Sequence, residues 1–228
     1  MDNYSLQPDN MRVNNLFKTG HSLVWSHLIE LDWPWEALPL ISTYIRELGA
    51  ELDESNYEAR PDNVWIHKTA SIAPSAFIGA NVIIGADAEI RHCAYIRKDV
   101  IVGDFAVVGN STELKNVILF NDVQVPHFNY VGDSILGYKS HMGAGVITSN
   151  VKSDHSLVSV CCGDERIDTG LVKFGAILGD HVEIGCNAVL NPGTVIGSHS
   201  TVYPLSMVRG FVPADSIYKK QGEIVEKR

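Results

Sequence analysis

The chain has 228 residues, 45% of them hydrophobic, which is enough for one main domain with a substantial core and a small appendage. Its formal net charge of -9 repels nucleic acid and anionic membranes, so an anionic small ligand requires a local basic pocket. The polar first twenty residues and the lack of a long apolar run predict neither a signal peptide nor a transmembrane helix.

Residues 1–64 are predicted to form the appendage. Met1–Thr19 is a polar lead-in, expected to be partly disordered or to cover the end of the main domain. Apolar residues then recur at spacings of three and four between His21 and Leu52, which predicts two short amphipathic helices. Tryptophans lie in or beside this segment and favour a hydrophobic lid on the main domain over a ligand cage: Trp25, Trp33, Trp35 and Trp65.

Residues 65–213 contain a repeat of six residues. Nine aliphatic residues recur at that interval from Ile66 to Leu114, and a small or β-branched residue follows four positions after each of the first eight. Because a period of six suits neither a helix nor a flat strand, it predicts an all-β solenoid. Three repeats make one triangular coil of eighteen residues, with the aliphatic and small side chains inside.

The repeat is interrupted further along the chain. It shortens by one residue before Leu119 and again before Leu136, which predicts bulges beside a functional site. The period is lost at about 148–171, where we expect a functional inserted loop. It resumes at Val172, and the two arms together predict about seven coils. After Pro213, residues 214–228 are predicted to form a charged tail that leaves the solenoid.

Two cations occupy equivalent corners of the repeat. Arg97 and Lys115 each follow an aliphatic residue and lie eighteen residues, or one coil, apart. They are therefore expected to stack at the strand spacing of about 4.8 Å. Two cations so close repel each other, so an anion between them, such as a phosphate, is one interpretation. The alternative is that both are solvated corner residues.

Polar side chains with catalytic potential cluster around the register changes. His127, Asn129 and Tyr130 follow the first change, and a histidine close to its ordinary pKa is a competent general base. Glu113 lies about one coil below Tyr130, where it is expected to orient an imidazole. A structural or solvated histidine is the competing interpretation. Four cysteines have no metal-ligand spacing, which predicts reduced thiols in a cytoplasmic protein: Cys93, Cys161, Cys162 and Cys186.

The runs VPHFNYVGDSILG (125–137) and MGAGVITSN (142–150) carry a resemblance. Over Trp65 to Pro213 the chain resembles the left-handed parallel β-helix acetyltransferase domain of bifunctional N-acetylglucosamine-1-phosphate uridylyltransferase. It is still more similar to the C-terminal domain of archaeal-type sugar-1-phosphate nucleotidylyltransferases. The resemblance implies a homotrimer that transfers an acetyl group from acetyl-CoA to an amino-sugar 1-phosphate, with no metal.

The resemblance also implies roles for particular residues. His127 matches the catalytic base and Glu113 the acid near it. Acetyl-CoA is expected beside Ala144 and Cys186, the latter where a serine is usual. The positions that match the sugar- and phosphate-binding residues are Arg97, Lys115, Tyr130 and Asn150.

Three features depart from the family pattern. His141 stands where the bacterial enzymes have an asparagine, and Ser156 where a lysine is expected. Lys173, counted back from the corner at Gly179, is the candidate for that lysine's role. No Gly-rich phosphate loop precedes Trp65, so we expect no nucleotidyltransferase activity from this chain, and a separate nucleotidyltransferase is a candidate partner.

Two other functions fit the same scaffold. A non-catalytic trimer that binds sugar phosphates is the first. The second is a metal-dependent hydrase of the γ-carbonic-anhydrase kind, for which the best support is His181 and His199, one coil apart at the same place in the repeat.

Overall fold

The computed structural model describes residues 6–18, 20–220 and 223–226. Two 3₁₀ helices, Pro8–Met11 and Pro34–Leu40, accompany three α-helices, α1 (Val13–Leu16), α2 (Trp25–Leu28) and α3 (Ile41–Glu51). The strands as far as the inserted segment are β1 (Tyr57–Arg60), β2 (Val64–His67), β3 (Ser71–Ile72), β4 (Phe77–Ile84), β5 (Glu89–Ile90), β6 (Tyr95–Val102), β7 (Val107–Asn110), β8 (Glu113–Leu119), β9 (Gln124–His127), β10 (Tyr130–Leu136), β11 (His141–Met142) and β12 (Ile147–Thr148).

The remaining strands begin with a hairpin in the inserted segment. They are β13 (Ser159–Cys162), β14 (Glu165–Asp168), β15 (Ala176–Leu178), β16 (Glu183–Ile184), β17 (Val189–Leu190), β18 (Thr194–Ile196), β19 (Thr201–Val202), β20 (Met207–Val208), β21 (Phe211–Val212), β22 (Ser216–Lys220) and β23 (Glu223–Glu226). No helix in the described part of the chain has the length and hydrophobicity needed to span a bilayer.

Parallel strands stack into three walls around a buried core, which confirms the predicted parallel β-helix of hexapeptide repeats. The first wall contains β2, the second halves of β4, β6, β8 and β10, and then β15, β18 and β21. The second wall contains β3, β5, β7, β9, β11, β16, β19 and β22. The third contains the first halves of β4, β6, β8 and β10, followed by β12, β17 and β20.

The inward ladder of the first wall runs through eight coils of the described chain, one more than the predicted seven. Its members pair in succession and are buried: Ile66, Ile84, Val102, Leu119, Leu136, Leu178, Ile196 and Val212. Coils of eighteen residues give way to coils of seventeen where Val102 pairs with Leu119 and Leu119 with Leu136. The register changes inferred from the sequence are therefore shortened coils.

Residues with a left-handed backbone turn the chain at the corners between walls. At the corner between the third and first walls most of them are Asn or Asp: Asn63, Asn81, Asp99, Asn116 and Asp133, with φ between 49° and 57°. Asn and Asp tolerate this conformation better than other non-glycine residues. This corner therefore carries a column of polar side chains on successive coils.

The ladder does not resume where the sequence predicted. Val172 is 46% exposed, while Thr148 is buried and pairs with Leu190 in the third wall. The Oγ1 of Thr148 accepts a hydrogen bond from the Gly132 N–H at 2.8 Å, so this inward hydroxyl is satisfied. The prediction that Val172 resumes the ladder is wrong, and Leu178 is the residue that does so.

The N-terminal segment packs along the side of the first wall instead of capping the first coil. α3 contacts β4, β6 and β8, and the 3₁₀ helix Pro34–Leu40 contacts β10. The lead-in also packs on the solenoid: its described residues Met11, Val13 and Leu16 are buried. The Leu16 carbonyl accepts a hydrogen bond from the Asp180 N–H at 3.0 Å. Met1–Ser5 and Thr19 lie outside the described residues.

This packing covers an apolar outer row on the first wall. Its residues alternate with the inward ladder, and all but Trp65 are buried: Trp65, Ile83, Ile101, Ile118, Ile135, Ile177, Val195 and Phe211. The hairpin β13–β14 contributes to the cover at β21. The second and third walls have no such cover in the described chain and carry exposed side chains.

The chain does not leave the solenoid after Pro213. β22 pairs in parallel with β19 and places Tyr218 in the core, and β23 pairs antiparallel with β22. The Tyr218 hydroxyl donates to the Met207 carbonyl at 2.8 Å. The prediction that residues 214–228 form a detached tail is therefore wrong for residues 214–220 and 223–226; the other four positions are not described.

Candidate functional site

A buried carboxylate organises the polar residues at the corner between the third and first walls. Lys115 Nζ lies 2.9 Å from Asp133 Oδ1 and 3.1 Å from Oδ2. Asn116 Nδ2 donates to Oδ1 at 3.0 Å, and Asn150 Nδ2 donates to Oδ2. Asp133 and Asn116 were not among the predicted site residues, and their signal is the column of Asn and Asp residues at this corner.

Tyr130 stands over this network on the outer face of the third wall. Its hydroxyl accepts from Asn150 Nδ2 at 3.4 Å. A Cβ added to Gly132 would lie 2.6 Å from that hydroxyl and 2.9 Å from Asn150 Nδ2, so a side chain at this position would displace the ends of Tyr130 and Asn150. Burial, with smaller contributions from Asp133 and Glu113, raises the pKa of Tyr130. The phenol therefore keeps its proton and can act as a donor.

The inserted segment returns to the solenoid beside Asn150. The Asn150 carbonyl accepts from the Phe174 N–H at 3.0 Å, and Val151 forms an antiparallel bridge with Lys173. The fold therefore brings the predicted residues Tyr130, Asn150 and Lys173 to the same corner.

The two predicted phosphate-binding cations are not stacked as expected. A register shift between Ile96 and Lys98 pairs Lys98, and not Arg97, with Lys115. Arg97 Nη1 instead lies 2.9 Å from Glu113 Oε1, an ion pair with both side chains partly exposed. Each cation thus has its own carboxylate, because the bulge turns Arg97 away from Lys115.

His127 lies at a different corner, between the second and third walls. Its side chain is exposed, and no hydrogen bond to its imidazole occurs among the described residues. Asn129 Oδ1 accepts from the His127 N–H at 3.1 Å and holds the local backbone. A Cβ on Gly109 would lie 1.6 Å from the Pro126 carbonyl oxygen, so the close approach of two coils fixes the strand that ends at His127.

His127, Ala144 and Cys186 form one column on successive coils. The Gly145 N–H donates to the His127 carbonyl at 3.0 Å, and the Asn187 N–H donates to the Ala144 carbonyl at 2.9 Å. At one coil per step, the three residues are spaced by about 4.8 Å along the axis. The predicted base and the two positions expected beside acetyl-CoA therefore line one edge of the solenoid.

Two other predicted residues stand apart from these groups. Glu113 binds Arg97 and makes no hydrogen bond to the His127 imidazole in the described chain. His141 lies on the outer face of the second wall, where its Nδ1 is 2.8 Å from Glu183 Oε2. Within a single chain, Glu113 therefore does not contact the predicted base.

The histidine pair of the alternative metal site does stack. The His181 and His199 rings have centroids 4.7 Å apart and an interplanar angle of 8°. Among the described residues, however, no group of three or more His, Cys, Asp or Glu side chains could hold a metal ion. Two histidines fall short of the three protein ligands of a catalytic zinc site.

Residues 86–202, just over half of the chain, match the family described as the GMPPB C-terminal domain. "Bifunctional protein GlmU" of Methanococcus aeolicus is 38% identical over 120 residues, which are 53% of this chain and 29% of the relative. "Bifunctional sugar-1-phosphate nucleotidylyltransferase/acetyltransferase" of Sulfurisphaera tokodaii is 34% identical over 112 residues, 49% of this chain and 28% of the relative. The chain thus matches under a third of the length of either relative.

Among solved structures, similarity is weak. The acetyltransferase domain of PglB from Neisseria gonorrhoeae, in complex with acetyl coenzyme A, aligns over 79% of this chain and 62% of its own with 16% identity and a TM-score of 0.32.

Proposed function

Because this chain belongs to the family of the GMPPB C-terminal domain and is 34% identical to a relative named as an acetyltransferase, we propose that it is a sugar acetyltransferase. The proposed donor is acetyl-CoA and the acceptor the amine of an amino-sugar 1-phosphate. The observation that carries the proposal is the exposed His127 imidazole, which heads the column with Ala144 and Cys186 and has no competing hydrogen bond in the described chain.

In the proposed reaction His127 acts as the general base. The amine nitrogen forms a bond to the thioester carbonyl carbon while His127 takes the amine proton. The carbon–sulfur bond then breaks, and the proton passes to the leaving thiolate to give free CoA. Ala144 has no side chain beyond Cβ, so a long donor can lie close to the backbone along the column.

The acceptor is proposed to bind at the Tyr130–Asn150 corner. Tyr130 and Asn150 supply hydrogen-bonding groups for hydroxyls, and Lys173, exposed beside Asn150, supplies a cation for the phosphate. Arg97 is exposed enough to exchange Glu113 for a phosphate oxygen, since a surface ion pair contributes only about 0–1 kcal/mol.

We propose that the active unit is a homotrimer. His127 lies at one edge of the third wall, and the Tyr130 hydroxyl reaches Asn150 at the other edge. A neighbouring chain packed on the exposed walls would complete a cleft. The outer face of the third wall supports this idea because it carries exposed apolar side chains: Phe77, Tyr95, Ile147 and Met207. Light scattering of the intact protein would overturn the trimer by giving the mass of a 25.0 kDa monomer at micromolar concentration.

One observation favours a second candidate, a sugar-phosphate-binding scaffold without catalysis. Lys115 and Arg97 are neutralised by Asp133 and Glu113, which leaves less charge for a phosphate than the sequence implied.

A CoA-release assay with acetyl-CoA and a panel of amino-sugar 1-phosphates separates the two candidates. We expect release by the wild type and a loss of about 10²-fold in His127→Ala. His92→Ala is the matched control, because His92 is an exposed histidine at the same corner and should keep full activity. Sugar-phosphate binding without CoA release from any acceptor would favour the scaffold. Full activity of His127→Ala would remove the proposed base.

A further inference from the structure

A cavity lies between the inserted segment and the corner that ends the third wall. Its volume is about 400 Å³. Lys152 and Arg166 line it from the inserted segment, and Arg209 lines it from the residue after β20. Three cations from separate stretches of chain thus converge on one cavity, in a protein whose net charge is -9.

The charges of these cations are largely uncompensated. Lys152 Nζ donates to two neutral acceptors, Ser156 Oγ at 2.6 Å and the Leu157 carbonyl at 3.2 Å. Arg166 Nε donates to Ser159 Oγ at 2.7 Å.

The nearby carboxylates offset little of this charge. Asp168 lies 3.9 Å from Arg166, and both side chains are more than half exposed, so this ion pair is weak. Arg209 has no ion pair within the described residues. Asp154 is the one carboxylate in the described lining, and it already accepts hydrogen bonds from the Ser156 N–H and hydroxyl. The cavity therefore keeps a positive charge, unlike the corner of Lys115 and Asp133.

The wall of the cavity is held in place by packing. Alternate residues of the inserted segment, Val158, Val160 and Cys162, are buried against the solenoid. Gly210 follows Arg209 with φ +76°, and a Cβ there would lie 2.6 Å from the Cys161 carbonyl oxygen. Such close contact fixes the hairpin beside Arg209, so little ordering is needed when a ligand binds.

We propose that this cavity binds the phosphate of a phosphorylated small molecule. Guanidinium groups donate two parallel hydrogen bonds to phosphate oxygens, and an ammonium adds a third charge-assisted contact. CoA and nucleotides offer the same chemistry, since both carry phosphate esters and a pyrophosphate. The inference does not depend on acyl transfer, because it concerns binding alone.

The test uses the intact protein and four probes, inorganic phosphate, CoA, dephospho-CoA and UDP, titrated by calorimetry. Arg209→Gln and Arg166→Gln remove one charge each at exposed positions. We expect at least one probe to bind, with an affinity that falls as salt rises and that each variant lowers by about tenfold or more. Arg46→Gln is the control, since Arg46 lies on α3 and, among the residues that the structure describes, hydrogen-bonds only Ser42 and Thr43.

The pattern of probes identifies the source of the phosphate. A preference for CoA over dephospho-CoA that disappears in Arg209→Gln assigns the cavity to CoA, and an Arg209-dependent affinity for UDP assigns it to a nucleotide. The proposal is overturned if no probe binds, or if both variants bind every probe as the wild type does. If Arg209→Gln or Arg166→Gln does not melt cooperatively, Lys152→Gln is used in its place, because Lys152 is the third cation of the cavity.

The binding titrations and the CoA-release assay test the cavity and the acetyltransferase proposal separately. Arg209-dependent binding without CoA release from any acceptor sustains the cavity and rejects the reaction. If CoA release depends on His127 while probe binding is unchanged in Arg209→Gln and Arg166→Gln, the acetyltransferase reaction is supported and the proposed cavity site is rejected.

Discussion

Lys115 and Asp133 form an ion pair whose two partners are almost fully enclosed, with 15% and 5% of their side chains exposed. The Asp133 carboxylate also accepts from Asn116, whose Nδ2 donates as well to the Leu38 carbonyl at 3.1 Å. This pair therefore joins the candidate site to the N-terminal helical segment. We therefore expect loss of this ion pair to lower the stability of the fold, whether or not a ligand is bound.

Asp133→Asn should lower the free energy of unfolding by about 3–5 kcal/mol, because it leaves the Lys115 ammonium enclosed without a counter-charge. Urea denaturation followed by circular dichroism measures the change. The double variant Lys115→Met with Asp133→Asn should recover part of the loss, since it removes the stranded cation. Equal stability of Asp133→Asn and the wild type would mean that water, and not Asp133, solvates Lys115.

Arg97→Gln should leave the melting temperature nearly unchanged and raise KM for the sugar phosphate by about tenfold at similar kcat, because it removes a contact to an anion in ground and transition states alike. Arg91→Gln is a close control. Arg91 forms the same 2.9 Å contact with Glu89, at 36% exposure against 44% for Arg97. A KM that rises equally in both variants would point to a general loss of surface charge.

Of the two adjacent cysteines in β13, Cys162 should react more slowly with a thiol reagent than Cys161. Burial, with a smaller effect of Glu165, raises its pKa to about 11, whereas Cys161 is exposed. At about pH 8 Ellman's reagent should react quickly with Cys93, Cys161 and Cys186 and with Cys162 only after unfolding. Cys161→Ser should remove a fast phase and Cys162→Ser the slow one. The reverse assignment would contradict the orientation of β13.

His181 should make the protein less stable as the pH falls below about 6.5. Burial first, then the neighbouring His199, lowers its pKa from the ordinary 6.5, while Asp180 opposes them. In the window between the lowered value and 6.5 the unfolded chain binds more protons, so unfolding becomes easier as pH falls.

His181→Gln should therefore show a smaller drop in melting temperature between about pH 7.5 and about pH 5.5 than the wild type. His92→Gln, at an exposed position, should keep the full drop. An unchanged drop in His181→Gln would assign the pH dependence to other groups.

The inward ladder could be predicted from the sequence because a closed coil admits only side chains of a certain size and polarity at fixed intervals. The rule fails at Thr148, whose hydroxyl is inward but satisfied by the Gly132 N–H, and at Val172, which has the right residue type by chance and is exposed. Both errors arise because the repeat identifies residue types and not hydrogen-bond partners.

The site was harder to predict for a related reason. Equal spacing suggested that Arg97 and Lys115 stack, but a one-residue bulge at Arg97 re-aims its side chain. Asp133 was missed because its role depends on Lys115, Asn116 and Asn150 meeting at one corner: the first two come from the neighbouring coil at β8, and Asn150 comes from the start of the inserted segment.

The covered outer row of the first wall determines which truncated fragments of this protein can be used. From Ile83 to Phe211 the row spans six coil steps, roughly 29 Å at 4.8 Å per step. A recombinant fragment trimmed to the repeats at 65–213 would expose the part of that strip that α3 and the 3₁₀ helix Pro34–Leu40 cover, on β4, β6, β8 and β10, and would also lack β22, which closes the last coil. Self-association of this fragment in gel filtration would be caused by the uncovered apolar strip, and it would not show how the intact chain assembles.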